Sequence, residues 1–151
     1  MIKIICVGKI KENYLKDAIL EYVKRISKYS EIKIIELDDV GLNDMKVVLK
    51  REEEKILKVI DKKDFIITLE IEGNEINSKE FANKINDINI HNSNIAFIIG
   101  GSYGLSDNVK SLSNYKLSFS KMTFPHQLFR VILLEQIYRA YKINNNEEYH
   151  K

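Results

Sequence analysis

Short runs of apolar residues alternate along this chain with longer stretches in which apolar residues recur every three or four positions. Runs of five or six mostly β-branched residues are typical of buried strands, whereas the longer spacing is typical of helices packed on one face. The runs predict strands at 2–7, 32–37, 65–69, 95–99 and 115–119, with helices between them. Such alternation predicts an α/β fold, a parallel sheet flanked by helices, in a single domain spanning 1–151.

One predicted helix is apolar on nearly all sides, and another carries a run of charged residues. The last one, from about His126 to Ile143, is apolar almost all the way round. A helix packed on one side needs only one apolar stripe, so we expect a second contact, and a homodimer interface is the simplest partner. A charged residue at Leu133 or Ile137 is then expected to give monomer or insoluble protein. The charge run 51–55 is interpreted as an exposed helix face.

Composition and charge limit the class of protein. The formal net charge of +2 is too small to indicate nucleic-acid binding by itself and does not exclude it. The one cysteine, Cys6, cannot form an internal disulfide, and with three scattered histidines it makes no zinc site. No apolar run approaches the roughly 20 residues that span a bilayer. We therefore expect a cytoplasmic protein without a metal or a membrane partner.

A glycine-rich loop follows the fourth predicted strand and holds Gly100, Gly101 and Gly104, half of the six glycines in the chain. Its spacing is not that of a dinucleotide-binding loop, and the chain has neither a P-loop nor a nucleophile elbow. Taken alone, a pair of glycines after a strand indicates a tight turn more often than a ligand loop.

A second loop, 118–126, follows the fifth predicted strand and mixes hydroxyl groups and a lysine with apolar side chains. Apolar walls with a few polar groups suit an adenosine-bearing ligand. The same residues are compatible with a helix start, with Thr123 as the cap and Pro125 in the first turn. Because parallel strands end at one edge of a sheet, we expect the two loops to form a ligand site there.

Three further positions are candidates for chemistry. His126 lies at a helix N-terminus, which disfavours a positive charge, so a neutral imidazole could act as a base or merely join a capping network. Arg130, one turn later, could bind phosphate or pair with an acid. The final residues, Tyr149, His150 and Lys151, could contact RNA, although chain ends are often frayed.

Three motifs together are familiar: Ile-Gly-Gly-Ser-x-Gly-Leu, Leu-Ser-Phe-Ser-Lys-Met-Thr-Phe-Pro-His-Gln and the terminal Glu-x-Tyr-His-Lys. With them the chain resembles, over essentially its whole length, the bacterial large-subunit ribosomal RNA pseudouridine-N3 methyltransferases of the SPOUT superfamily. The resemblance implies a C-terminal trefoil knot, an obligate homodimer and S-adenosylmethionine bound in the knot. The cofactor contacts that it implies are Leu69, Gly100, Phe119, Ser120, Lys121, Met122, Thr123 and Phe124.

The resemblance also implies the substrate, a pseudouridine in the helix 69 loop of 23S rRNA, in the large subunit or the assembled ribosome. The chemistry would be methyl transfer to ring nitrogen N3, which requires alignment and removal of one proton but no metal. His126 is the best candidate base by residue type, with solvent as a competitor. Arg130, Tyr149 and His150 are the expected substrate contacts, and Arg130 is also a candidate for catalysis. Two alternatives stay open: a SPOUT enzyme with another RNA target, and a non-catalytic ribosome-binding protein.

Overall fold

The computed structural model describes residues 1–151, and the chain forms ten helices and strands. They are, in order, β1 (Ile2–Val7), α1 (Asn13–Ile26), β2 (Ile32–Leu37), α2 (Met45–Val59), β3 (Asp64–Glu75), α3 (Ser78–His91), β4 (Asn94–Ile99), α4 (Asp107–Ser111), β5 (Tyr115–Ser118) and α5 (His126–Asn144). No helix is both long and apolar enough to cross a membrane.

The five strands form one parallel sheet in the order β2-β1-β4-β3-β5, which confirms the predicted fold class. Alternate residues of each strand point to opposite faces. Ile4 and Cys6 therefore belong to the larger core, under α1, α3 and α5, while Ile5 and Val7 belong to the smaller core, under α2 and α4. Burial raises the pKa of the Cys6 thiol to about 11, so the thiol stays protonated at neutral pH.

The third strand departs from the prediction, because β3 continues to Glu75 where a loop was expected from residue 70. Leu69 and Asn74 both pair with Leu117 of β5, so the residues between them bulge out of the ladder. Gly73 permits this close packing: a Cβ atom there would lie 2.9 Å from backbone atoms of Lys116 and Leu117.

The helix starts agree with the sequence in part. Asp44 caps α2 with its side chain, and Asn77 and Glu80, at the spacing typical of a capping box, form one at the start of α3. The start of α1 has no side-chain cap, and Pro125 precedes α5 without a cap from Thr123. The prediction of an exposed charge run in α2 was wrong in part, since Glu52 and Glu53 are each only 4% exposed.

The position of α5 explains most of its all-round apolar character within one chain. The helix lies between α1 and α3 on the larger core, and Leu133 and Ile137 are fully buried there. A charge at either position would disrupt the core of a single chain, so insoluble protein is the favoured one of the two expected outcomes. Leu128, which is 43% exposed, and the half-buried Ile132 one turn later remain on the open side of the helix.

Candidate active site at the strand ends

A cavity of about 610 Å³ opens at the carboxyl ends of β3, β4 and β5, and we call it the strand-end cavity. Its walls come from the β3 bulge, the glycine-rich loop after β4, and the loop between β5 and α5. This is the edge of a parallel sheet at which α/β folds bind their ligands. The two loops singled out in the sequence therefore meet as expected.

Seven of the eight predicted cofactor contacts line the strand-end cavity. They are Leu69, Gly100, Phe119, Ser120, Met122, Thr123 and Phe124. Lys121 does not line it and lies exposed on the outside of the loop.

Several lining residues were not predicted from the sequence. Glu70 and Ile71 enter the strand-end cavity through the β3 bulge, and Tyr103, Leu105 and Phe129 complete its walls. The only signal for the first two was their position directly after a buried strand, in a segment rich in Glu and Gly. Phe129 packs edge-on against Phe119, with ring centroids 5.0 Å apart, and this pair forms part of the apolar wall.

The glycine-rich loop is a tight turn and a cavity wall at once. The Gly104 N–H donates to the Gly101 carbonyl at 3.0 Å, and Gly104 has a positive φ of 76°. A Cβ atom at Gly100 would lie 2.5 Å from the Gly104 carbonyl oxygen. Glycine is thus required at Gly100 by the turn itself, while the backbone of the same turn faces the strand-end cavity.

His126 lies at the start of α5, half-buried, and lines both the strand-end cavity and a second cavity next to it. Burial lowers the pKa of its imidazole, and the positive charge of Arg130 lowers it further. The side chain is therefore neutral at pH 7 and can accept or donate a hydrogen bond, as expected for a candidate base.

Arg130 is the clearest departure from the predicted site. Its side chain is 1% exposed, and it donates from Nη1 to Glu36 Oε2 at 2.8 Å and from Nη2 to the Gly8 carbonyl at 2.7 Å. These contacts clamp the start of α5 to the ends of β1 and β2. Of the roles proposed from the sequence, pairing with an acid is the one found. The buried guanidinium is held by these contacts, and the residue also lines a second cavity next to the strand-end cavity.

The C-terminal residues pack on their own helix. The Tyr149 hydroxyl donates to Glu135 Oε1 at 3.1 Å, and Arg139 Nη1 lies 3.0 Å from His150 Nδ1. Because a guanidinium only donates, that ring nitrogen accepts. Burial and the bond to Glu135 raise the pKa of Tyr149 to about 12. These residues lie about 14 Å along α5 from His126, so they do not reach the strand-end cavity of their own chain.

The sequence matches known proteins over nearly its full length. The profile of the family described as "Predicted SPOUT methyltransferase" covers residues 1–150. Proteins named ribosomal RNA large subunit methyltransferase H from Clostridium tetani and Clostridium acetobutylicum are 54% and 50% identical, with 99% of each chain covered. A protein from Methanococcus maripaludis, provisionally given the same name, is 57% identical with the same coverage.

Solved structures share the architecture at low sequence identity. A probable methylase family protein from Haemophilus influenzae superimposes with a TM-score of 0.59 at 15% identity, covering 99% of this chain and 70% of that one. The tRNA (m1G37) methyltransferase from Aquifex aeolicus gives 0.52 at 14% identity, covering 91% and 69%. With the full-length sequence match, the fold and the strand-end cavity, the chain belongs to the SPOUT methyltransferase family, in the group of the ribosomal RNA large subunit methyltransferases H.

Proposed function

We propose that this protein is an S-adenosylmethionine-dependent methyltransferase that acts on ring nitrogen N3 of a pseudouridine in the helix 69 loop of 23S rRNA. The observation that carries the proposal is the strand-end cavity, in which three loops of a methyltransferase fold meet. The names of the relatives support a large-subunit rRNA substrate. The resemblance of the sequence motifs to the pseudouridine-N3 enzymes supports the nucleotide and the position.

The strand-end cavity fits S-adenosylmethionine in size and chemistry. Its volume of about 610 Å³ suits a ligand of nucleoside size, and its walls combine apolar side chains with polar backbone of the two loops. Leu117, Phe119 and Phe129 provide apolar surface for the adenine, and the Glu70 carboxylate can accept from ribose hydroxyls. When bound, the cofactor supplies a methyl group already activated on a sulfonium, so the proposed reaction requires no metal.

The protein's own part in the reaction is alignment and proton removal. His126 faces both cavities, and its lowered pKa keeps the imidazole neutral, so it can receive the N3 proton as the N–CH₃ bond forms and the C–S bond breaks. Solvent is the competing acceptor. The apolar side chains Leu117, Phe119 and Phe129 of the cavity wall would limit the access of water to a bound cofactor.

A homodimer gives the C-terminal residues a place in this site. Leu128, Ile132, Glu135 and Arg139 succeed one another along one side of α5, and Tyr149 packs at the end of this stripe. If the stripe is the dimer interface, Tyr149 and His150 lie against the partner, and we propose that they contact RNA bound at the partner's cavity. Tyr149 could stack on an unpaired base, which typically contributes about 1–3 kcal/mol.

The trefoil knot is part of the same proposal. After β5 at one edge of the sheet, the chain crosses to the ends of β1 and β2, where Arg130 anchors it, and α5 continues between α1 and α3. This path passes the glycine-rich loop at the strand-end cavity. Threading at this point is rare among proteins generally and is expected here from the family.

Two other functions stay in competition: a SPOUT enzyme with another RNA target, and a ribosome-binding protein without catalysis. A purely ribosome-binding protein has no use for a cavity shaped for the cofactor, which favours an enzyme. The choice between rRNA targets rests on the motifs and the relatives' names.

The decisive experiment combines calorimetry with nucleoside mass spectrometry. The purified protein should bind S-adenosylmethionine in excess chelator and add one methyl group to pseudouridine in ribosomes that lack the modification. Gly100→Ala should abolish binding, because its Cβ would strike the Gly104 carbonyl and deform the cavity wall. Gly41→Ala is the matched control, because nothing lies within 4 Å of a Cβ atom there.

The outcomes separate the three functions. Methylation of a different nucleotide would leave a SPOUT enzyme with another target. Ribosome binding without cofactor binding would leave the non-catalytic protein. A protein that neither methylates nor binds ribosomes would overturn the proposed function altogether.

A further inference from the structure

A second cavity of about 1000 Å³ adjoins the strand-end cavity. It lies between the end of β1, the loop after β2, helix α2 and the start of α5. The two cavities share four residues, Gly101, Ser102, Tyr103 and His126. A ligand in the second cavity would therefore meet a cofactor in the strand-end cavity at the glycine-rich loop.

Glu52 of α2 lines the second cavity and is unusual in its surroundings. The side chain is 4% exposed and makes no hydrogen bond, and its Oε1 atom is buried without a partner. The carboxylate lies against the shared loop, since a Cβ atom at Gly101 would be 2.8 Å from Glu52 Oε2. Burial raises the pKa of this carboxyl, and the charge of Asp39 raises it further.

The next residue, on the same helix, is a buried carboxylate that does have hydrogen-bond partners. Glu53 is equally buried, but it accepts from the Ser106 hydroxyl at 2.8 Å and from Lys50 Nζ at 3.0 Å. A buried carboxyl without partners destabilises a fold, and native proteins keep few such groups. Where one persists beside a cavity, the missing donor is to be sought in a ligand.

We propose that Glu52 holds the target base in the second cavity by accepting a hydrogen bond from a ring N–H of that base. The proposal rests on the proposed function, because it needs the second cavity to receive the nucleotide that is methylated. A carboxylate can only accept, so its natural partner is a ring nitrogen bearing hydrogen. Pseudouridine presents two such groups, one at the reacting N3 and one at N1, so one donor remains available even while the other reacts.

The rest of the second cavity suits a nucleotide. Lys11 lies at its wall, where it can meet a phosphate that flanks the base, and Arg130 borders the same space, whereas Lys9 is paired with Asp38 at 3.0 Å. Tyr14 and Tyr103 offer exposed rings on which a base taken out of its stack can rest. Glu52 is the one buried carboxyl among these groups, which places the base edge toward α2 and the shared loop.

The test compares three variants of the full-length protein: Glu52→Gln, Glu52→Leu and the matched control Glu53→Gln. Methylation of unmodified ribosomes gives kcat and KM, calorimetry gives the affinity for S-adenosylmethionine, and thermal unfolding gives Tm. Glu52→Leu removes the acceptor and should lower kcat/KM by about 10- to 100-fold, the range for losing a hydrogen bond to a charged group. Glu52→Gln keeps one accepting oxygen and should fall between it and the wild type.

Stability and cofactor binding distinguish this role from a structural one. Both Glu52 variants should keep cofactor affinity within twofold and have an unchanged or higher Tm, because they remove an unpaired buried charge. Glu53→Gln should behave oppositely, with a lower Tm and nearly normal kcat/KM.

Two results would overturn the inference while leaving the proposed function intact. One is wild-type kcat/KM in Glu52→Leu. The other is a loss of Tm together with cofactor affinity in both Glu52 variants, which would make Glu52 a support for the loop. A wild-type protein that methylates no ribosomal nucleotide would instead remove the proposed function, and the inference with it.

Discussion

Single residues near the strand ends have two kinds of role. Some line the strand-end cavity, and others fix the elements that carry the lining residues. His126 belongs to the first group and Arg130, four residues later, to the second. Both carry side chains typical of RNA-modifying sites, and only their surroundings distinguish them. Arg130 donates to one carboxylate and two backbone carbonyls from a fully buried position, so its role is to anchor the start of α5.

The anchor role predicts the effect of Arg130→Met. The variant removes the charged partner of Glu36, which keeps the Ile10 N–H, and the donor to the Val7 and Gly8 carbonyls. It should lower the free energy of unfolding by about 2 kcal/mol, less than for a fully buried ion pair because Glu36 is one-third exposed. Urea denaturation measures this loss. The salt dependence of RNA binding should keep its slope, since no phosphate contact is removed.

The control for Arg130 is Arg25→Met, which breaks an exposed pair with Glu21 and should lower the stability much less, because solvent screens that pair. A flattened salt dependence with unchanged stability in Arg130→Met would show instead that the guanidinium binds RNA.

At the scale of elements, the local pattern of the chain determines which segments form and says less about how they pair. The five strands could be predicted because each has a short run rich in apolar residues, although those of β2 are only partly buried. The end of β3 could not, because residues 70–75 are polar and their strand geometry comes from pairing with β5. The same limit applies to the buried pair between Lys3 and Asp64, which joins strands 61 positions apart.

The candidate site shows a similar division. Its loops could be located because glycine and proline are so few in the chain, and seven of the eight cofactor contacts predicted from the family resemblance line the strand-end cavity. Glu52 could not be recognised, because within the charge run it looks like any solvated residue of a helix face. Its burial depends on packing against Gly101, nearly 50 positions away.

A substitution in the β3 bulge tests the role of this element. Gly73→Ala should lower the free energy of unfolding by about 1–3 kcal/mol, because its Cβ would meet unyielding backbone of β5 at 2.9 Å. Binding of S-adenosylmethionine should weaken as well, since the bulge carries Glu70 and Ile71 into the strand-end cavity. Denaturation and calorimetry measure the two effects.

Gly41→Ala again provides the comparison, because that position has open space around it and should tolerate a methyl group. Equal stability and affinity in both glycine variants would mean that the bulge is free to rearrange.

For the whole molecule, the proposed homodimer requires a surface of α5 that is free to meet a second chain. Most of α5 is buried inside one chain, so the proposed interface must use the side that remains open, around Leu128 and Ile132. This narrower surface still leads directly to the docked C-terminal residues. The residues of α5 that fold one chain and those proposed to bind the second chain lie on different sides of the helix. A substitution on the open side can therefore affect assembly without affecting folding.

Leu128→Glu should therefore convert a dimer into a folded monomer, since it places a charge on an apolar contact without entering the core. Sedimentation measures the mass, and circular dichroism checks the fold. Leu20→Glu, at a more exposed leucine of α1, should leave the dimer intact. A wild-type monomer at micromolar concentration would contradict the proposed assembly.

The path of α5 has a further consequence for how the protein folds while it is being synthesised. β1 is synthesised first, yet its neighbours in the sheet are β2 and β4, and its end is fastened to Arg130. Contacts between residues far apart in the sequence form slowly, and apolar surface stays exposed until they have formed. His126 and Phe129 also line the strand-end cavity, so the proposed cofactor site is incomplete in a nascent chain until its last helix has left the ribosome and docked.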